Sequence, residues 1–180
     1  CFSGDDTLTS PDDPSYLKDI AEALISGNLT NEYQILLRRC PIDFSGRFDA
    51  VVKHYKGIIK EATPLWNYNI SEHWSAVYPT MGDVKLLVST AFYSDMVVNV
   101  GSTMAFDFAM FNKPCIFINY DQENKIDKKW SVKTIYEFQH FRSMPSPEAV
   151  IWLNSKDEII DKLINYKRHE NQKAMQDWCK

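Results

Sequence analysis

The stretch from Ser94 to Asp121 reads SDMVVNVGSTMAFDFAMFNKPCIFINYD and decides the predicted fold. Its short apolar run at residues 96–100 predicts a strand. Residues 101–103 then open a helix with apolar residues at helical spacing, and the Asn-Lys-Pro sequence at 112–114 ends it because proline cannot continue a helix. Residues 115–120 predict a second buried strand. Two apolar strands joined by a helix predict a parallel pair with a right-handed crossover.

The turn between the first strand and the helix is the first candidate site. Backbone N–H groups at a helix start lack partners, and the helix dipole places partial positive charge there. Gly101 would let the backbone approach a ligand, and the hydroxyls of Ser102 and Thr103 would add donors, so the turn is suited to a phosphate. Asp107 shares a helix face with Thr103 and is placed to accept a hydrogen bond from a ribose or sugar hydroxyl. The alternative is that Ser102 only caps the helix and Asp107 is solvated, since one Gly-Ser pair is a weak motif.

Composition narrows the class of protein. The chain has 180 residues, enough for one domain with a core, and its 44% hydrophobic and 24% charged content is that of a globular domain. No apolar run approaches the roughly 20 residues of a membrane span. The net charge of −4 argues against nucleic acid as a partner.

The four cysteines are far apart and form no CxxC pair, so neither a zinc site nor a disulfide scaffold is predicted. Cys115 lies in a predicted strand, where an inert core residue is the expected role. Because Cys1 begins the chain within what reads as a strand, without a methionine, we expect a fragment of a longer protein.

The flanking sequence alternates helices and strands. Asp13 followed by proline predicts a helix start. The second strand, at residues 33–37, runs into Arg38 and Arg39, and one of them is a phosphate-binding candidate because ligands of open α/β sheets bind at the carboxyl edge. The alternative is that both are solvated. The third strand is placed at residues 61–68.

Further elements and two more candidates lie downstream. Asp83 is expected to cap a helix, a helix is expected to run on from Ser131, and Ser155 with Glu158 reads as a capping box. Tyr78 lies in an irregular connection with Trp74, where an aromatic ring either stacks on a base or packs the loop down. His140, near the end of the helix from Ser131, is a ligand candidate, although a lone histidine is more often structural.

About six strands alternate with helices along residues 1–180. This pattern predicts one α/β domain, a doubly wound, Rossmann-like three-layer sandwich with a parallel sheet. The sequence has no Walker P-loop and no GxGxxG, which disfavours a nucleoside triphosphatase or a dinucleotide-dependent dehydrogenase.

The run from 83 to 121 resembles the carboxyl-terminal, donor-binding half of bacterial GT-B glycosyltransferases of the surface and capsular polysaccharide type. It is more distantly similar to CDP-glycerol glycerophosphotransferases and UDP-N-acetylglucosamine 2-epimerases. The shared order is an acid before an amphipathic helix, Ser94-Asp95, a strand, Gly101-Ser102-Thr103, an acid at Asp107, then Asn112-Lys113-Pro114 and a strand.

The resemblance implies two Rossmann-like domains around a cleft, of which this chain is the second. It implies an enzyme that moves a sugar from a nucleotide-diphosphate sugar to a polysaccharide or lipid-linked acceptor. The partners would be the sugar-nucleotide donor and the protein's own amino-terminal domain, which would hold the acceptor and the catalytic base, so the isolated domain would be inactive. No metal or other cofactor is implied, because helix dipole and basic groups stabilise the leaving diphosphate. A cytoplasmic location, with peripheral membrane association of the full protein, is in keeping with it.

The resemblance also assigns residues. Gly101, Ser102 and Thr103 would hold the diphosphate, and Asp107 sits where relatives have an acid, more often glutamate, on the ribose or sugar. A further assignment places Arg39 near the phosphates and Tyr78 near the base. The glycerophosphotransferases have His-Pro where this chain has Cys40-Pro41. The final helix of relatives crosses back to the first domain, which would account for Trp178.

Two other functions are compatible with the sequence. One is an epimerase or a glycerophosphotransferase on the same fold. The other is a non-enzymatic α/β module such as a receiver, for which Asp5 and Asp6 would supply an acidic pocket, although six strands and the Gly-Ser turn fit a receiver poorly.

Overall fold

The computed structural model describes residues 1–68, 77–166 and 172–179. The strands are β1 (Phe2–Ser3), β2 (Ile35–Arg38), β3 (Ile59–Glu61), β4 (Trp66–Asn67), β5 (Tyr78–Pro79), β6 (Val97–Asn99), β7 (Cys115–Ile118) and β8 (Ile151–Leu153). The helices are α1 (Asp13–Ser26), α2 (Asp49–His54), α3 (Met81–Tyr93), α4 (Met104–Ala109), α5 (Val132–Tyr136), α6 (Gln139–Arg142), α7 (Ile159–Asn165) and α8 (Gln172–Trp178). Two 3-10 turns, Pro147–Ala149 and Lys156–Glu158, flank β8.

The sheet confirms the predicted α/β class. Six parallel strands lie in the order β3-β2-β1-β6-β7-β8, flanked by helices in a Rossmann-like arrangement. The strand order runs outward from β1 to β3 on one side and from β6 to β8 on the other. It therefore reverses between β1 and β6. In open α/β sheets, ligands bind in the crevice at such a switch point, beyond the carboxyl ends of the strands.

The predicted strand-helix-strand unit forms as β6, α4 and β7. All four residues of β7 are buried, as its apolar sequence predicts. The buried face of α4 includes Phe108, which is fully enclosed. The helix ends at Ala109, and Asn112 then takes a left-handed conformation with φ +55° before the chain enters β7. The stop signal therefore acts where it was predicted.

The prediction for the third strand was wrong. The parallel sheet takes β3, three residues that begin at Ile59 and overlap the predicted strand only at Glu61. The preceding helix α2 ends at His54, and the two β-branched residues after Gly57 favour a strand, so Ile59 pairs with Ile35 of β2. Trp66 instead belongs to β4, which forms an antiparallel hairpin with β5.

Three helix starts also differ from the prediction. Asp12, rather than Asp13, occupies the N-cap position of α1. Thr80 caps α3, with its Oγ1 accepting from the N–H of Asp83 at 3.1 Å, which leaves the Asp83 carboxylate for other partners. Ser155 makes no capping hydrogen bond, and a 3-10 turn precedes α7.

The helix expected from Ser131 divides into α5 and α6. Ser131 does cap α5, with its side chain accepting from the N–H of Lys133. Phe138 then adopts extended backbone angles, φ −62° and ψ 145°, so a single helix cannot continue through it.

Trp178 packs within this domain. Its side chain is 8% exposed, its ring lies 4.7 Å from that of Phe106 and 6.3 Å from that of Phe117, and its Nε1 donates to Ser143. A contact with another domain is not needed to explain this tryptophan. Within the predicted tail helix, residues 169–171 and 180 lie outside the described residues.

Gly101 is predicted to be indispensable for packing. Its φ is +59°, and an added Cβ would lie 2.6 Å from Cγ2 of Ile135 and 3.1 Å from the Phe141 ring. We expect Gly101→Ala to lower the free energy of unfolding by about 2–4 kcal/mol, through backbone strain and overpacking. Urea denaturation measures this loss. Gly57→Ala is the matched control, because nothing lies within 4 Å of its Cβ position, and an equal loss in both variants would contradict the prediction.

Candidate functional site

The candidate site is the crevice at the carboxyl ends of β1 and β6. Ser3 is the last residue of β1, and its hydroxyl lies 3.2 Å from the hydroxyl of Ser102, in the turn after β6. Ser3 also pairs in register with Arg38, the last residue of β2. Three strand ends therefore bring two hydroxyls and an arginine to one edge of the sheet.

The turn after β6 is held by a hydrogen bond to a buried side-chain amide. Asn99 is fully buried, and its Oδ1 accepts from the N–H of Ser102 at 2.8 Å, while its Nδ2 lies 3.7 Å from Sγ of Cys115. The bond to Asn99 thus fixes the turn, and the backbone donor of Ser102 has a partner inside the protein.

Gly101 has a packing role that the sequence did not suggest. The space beside its Cα is occupied by Ile135 and Phe141 rather than open to the crevice. The expectation that this glycine lets the backbone approach a ligand stays a prediction.

Thr103 is the N-cap residue of α4, and Asp107 lies in the first turn of that helix. Thr103 is exposed and makes no capping hydrogen bond. Asp107 is half-buried, and burial raises the pKa of its carboxyl, while the charge of Arg38 acts in the opposite direction. Within the described ranges Asp107 has no hydrogen-bond or ion-pair partner.

Arg39 is occupied elsewhere. Its Nε donates to Glu61 and its NH1 to Asp49, each at 2.7 Å. These partners belong to β3 and to the start of α2. Its guanidinium also lies 5.7 Å from the centre of the Phe48 ring. The structure does not join Arg39 to the turn at Ser102, and its phosphate-binding role stays a prediction.

Arg38 is the residue that the sequence analysis left unassigned. Its side chain is buried, and its NH2 donates to both carboxylate oxygens of Asp83, at 2.8 and 3.0 Å. The same carboxylate accepts from the N–H of Leu65 and from Nε1 of Trp66, both at 2.8 Å. Asp83 therefore joins β2, the β4–β5 hairpin and α3. The signal in the sequence was alternation: two consecutive residues at a strand end point to opposite faces.

Hydrogen bonds set the charge state of Asp83. Burial alone would raise its pKa. The N–H of Leu65, the guanidinium of Arg38 and the indole of Trp66 outweigh that effect and hold the pKa of Asp83 below its ordinary value. The carboxylate is thus kept charged, and the fold gains from it at any pH above the usual aspartate range.

Among the described residues, neither Tyr78 nor His140 makes a hydrogen bond to the turn. Tyr78 is 54% exposed and faces Asn67 across the hairpin. His140 is exposed on α6, with its ring 4.0 Å from that of Phe141. Trp74 lies outside the described residues. Base contact by Tyr78 and ligand contact by His140 stay predictions.

The loop after β1 forms the other wall of the crevice and is organised around Arg47. The guanidinium of Arg47 donates to the carbonyl oxygens of Asp5, Ser10 and Pro11 and to the carboxylate of Asp43. The Asp6 carboxylate is used within the loop, where it accepts from the N–H groups of Leu8 and Thr9 and from the Thr9 hydroxyl. Asp6 therefore has a structural role in this loop.

Asp13 is buried beneath this loop. One carboxylate oxygen accepts from the Ser10 hydroxyl and the other from the N–H of Asp5, each at 2.6 Å, and Arg47 lies 3.7 Å away. Burial raises the pKa of Asp13 to about 7, although these hydrogen bonds and Arg47 oppose the change.

Comparison with protein-family models, with curated proteins and with solved structures finds no match. None of the helices within the described ranges has the length and apolar character needed to cross a bilayer. Across those ranges, no three His, Cys, Asp or Glu side chains are grouped as ligands for a metal ion.

Loss of the Asp83 carboxylate is predicted to destabilise the fold strongly. We expect Asp83→Ala to lower the free energy of unfolding by about 3–5 kcal/mol, because Arg38 would stay buried without its counter-ion. Asp49→Ala is the comparison, because the Asp49 side chain, a partner of Arg39, is 69% exposed. Its loss should lower the free energy of unfolding by at most about 1 kcal/mol. Urea denaturation of both variants measures the difference. Similar losses would contradict the prediction that the buried Arg38–Asp83 pair contributes more to stability than the exposed pair.

Asp13 is predicted to make stability fall as pH rises. Its pKa is raised on folding, so the folded protein holds a proton that the unfolded chain releases, and the stabilisation present below pH 4 is lost as pH rises through about 7. We expect Asp13→Asn to flatten this part of the profile. The measurement is the free energy of unfolding of both proteins at intervals from pH 4 to 8. A difference that stays constant over this range would rule out the raised pKa.

Proposed function

We propose that this chain is the donor-binding domain of a nucleotide-sugar-dependent glycosyltransferase of the GT-B type. In this proposal the donor is a nucleotide-diphosphate sugar, and an amino-terminal domain of the same protein supplies the acceptor site and the catalytic base. The acceptor is a polysaccharide or a lipid-linked sugar, and the enzyme works in the cytoplasm, at the membrane surface.

The observation that supports the proposal is the convergence of Ser3 and Ser102 at the switch point. Their hydroxyl oxygens, 3.2 Å apart, stand at the ends of the two strands between which the strand order reverses. This is the position where open α/β sheets bind nucleotides. The sequence resemblance spans residues 83–121, which include β6 and the turn that carries Ser102 at this crevice.

The chemistry of the crevice suits the leaving diphosphate. The hydroxyls of Ser3, Ser102 and Thr103 can donate to phosphoryl oxygens, and hydrogen bonds to a charged acceptor are stronger than neutral ones. The turn that carries two of these hydroxyls is fixed by Asn99, so little order is lost on binding. Donors held in place in this way stabilise charge as it develops on the leaving group.

A nucleoside diphosphate is predicted to stabilise the protein without a metal ion. In a thermal-shift screen with UDP, GDP and CDP, we expect one of them to raise Tm by about 5–10 °C at roughly 100 times its Kd. Mg²⁺ alone should not reproduce the shift. An absence of response to all three nucleotides would overturn the proposal.

Variants locate the site of this response. Ser102→Ala should weaken binding of the responding nucleotide by about tenfold, since a hydrogen bond to a charged group is lost. Ser26→Ala is the control, because Ser26 ends α1 and its hydroxyl only contacts the carbonyl of Ala23. Isothermal titration calorimetry compares the two variants.

A further inference from the structure

The outer face of α3 carries an apolar stripe that the domain leaves uncovered. Val84, Val88 and Phe92 follow one another at intervals of four residues, so they lie on one face of the helix. They are 43%, 49% and 54% exposed, and Met81, one turn before Val84, is exposed as well. Contiguous exposed apolar residues of this kind mark a surface where another molecule packs.

The same helix has apolar residues on a second side. Leu87 and Ala91 pack against the core of the domain. A helix that is apolar all round is normally buried all round, yet here one side stays open. The ring of Phe92 is also held in place, because it meets the ring of Phe111 edge to face at 5.5 Å. The stripe is therefore a preformed surface.

The direction of α3 bears on what covers the stripe. The helix starts beside the candidate crevice, where Asp83 pairs with Arg38 at the end of β2. It is thirteen residues long, about 20 Å, and the chain then enters β6 at the opposite edge of the sheet. Phe92 lies in the last turn. A domain placed across the crevice would meet the start of α3 and leave Phe92 uncovered.

The spacing of the stripe makes it complementary to itself. Val84 lies one turn before Val88, and Phe92 lies one turn after it. If two copies of α3 pack antiparallel about a two-fold axis at Val88, each Phe92 lies over the smaller Val84 of the other copy. Rows of residues four apart on both helices are the commonest ridges in helix packing. An isologous contact of this kind closes as a dimer.

The charges beside the stripe favour the antiparallel direction. Lys85 and Asp95 are exposed, and neither forms an ion pair with another described residue. In the antiparallel pair, Lys85 of one copy and Asp95 of the other are displaced by about 6 Å along the helix axis, within reach of a lysine side chain. In a parallel pair the two Lys85 side chains would face each other. Opposite charges that meet across an interface fix its register.

We infer that two copies of this chain associate through an antiparallel contact of α3 with α3, centred on Val88. The inference is independent of the proposed function, because the contact lies along the outside of the domain and leaves the crevice open. We expect a dissociation constant on the order of 10–100 μM, since one pair of short helices lies at the small end of protein–protein interfaces.

Sedimentation equilibrium of the wild-type chain from about 5 to 500 μM tests the association, because this span brackets the expected constant. The mean mass should rise toward twice the monomer value. Val88→Glu should weaken the dimer by about tenfold or more, since it places two carboxylates at the two-fold axis. Leu8→Glu is the matched control, because Leu8 is 86% exposed and lies in the loop after β1. Circular dichroism establishes that both variants are folded.

Charge exchange tests the direction of the helices. Lys85→Glu and Asp95→Lys should each weaken the dimer by about threefold to tenfold, and the chain that carries both substitutions should regain the wild-type affinity. A double variant no stronger than the single ones would overturn the antiparallel contact.

Disulfide formation tests the register in a Cys179→Ser background, which removes the exposed native thiol. Val88→Cys should cross-link to itself under mild oxidation. Val84→Cys and Phe92→Cys should cross-link to each other when mixed but not separately. A Val84→Cys chain that cross-links to itself would show parallel helices and refute the inference.

The remaining outcomes also count against it. A wild-type chain that stays monomeric over the whole concentration range would show that something other than a second copy covers the stripe. Equal weakening by Val88→Glu and Leu8→Glu would place the contact elsewhere on the domain. Each of these results leaves the proposed function untouched, since the nucleotide tests do not involve α3.

Discussion

The ion pair between Arg38 and Asp83 is the interaction on which the carboxyl edge of this sheet depends. A buried ion pair is favourable only when its geometry is good and its remaining hydrogen-bonding groups are satisfied. The Asp83 side of the pair meets that condition, since it also accepts from Leu65 and Trp66, whereas NH1 of Arg38 has no partner among the described residues. The hairpin, the end of β2 and the start of α3 are thereby tied to one carboxylate. Thr80 makes this possible because its hydroxyl caps α3, so the Asp83 carboxylate is available for these hydrogen bonds.

The alternation of side chains along a strand separates the two arginines. In the register of the sheet, Arg38 lies beside Ser3 and is buried, so its neighbour Arg39 is directed away from it. Arg39 then meets Glu61 and Asp49. The strand pattern predicted that an arginine stands at this edge without choosing between the two, because both follow the apolar run. The resemblance chose Arg39, whereas the buried arginine beside Ser3 is Arg38.

The central unit was predictable because its signals are local. A buried strand, a glycine turn and a proline stop act within a few residues of where they stand, and β6, α4 and β7 follow them closely. The third strand was mispredicted because β3 is short and two of its residues, Lys60 and Glu61, are polar, while the apolar Trp66 drew the assignment downstream. What places Ile59 in the sheet is its pairing with Ile35, which no local pattern encodes.

The candidate site was less predictable for a related reason. A helix start in isolation offers free N–H groups, yet here the one at Ser102 donates to Asn99, and Ile135 and Phe141 fill the space beside Gly101. Such partners depend on tertiary packing. Once they are formed, the turn offers a ligand mainly hydroxyl groups, with their direction set by a rigid backbone. Side chains from β1 and β2 meet the turn at this edge, since Ser3 lies beside Arg38 and its hydroxyl contacts that of Ser102, and the sheet register is what holds them together.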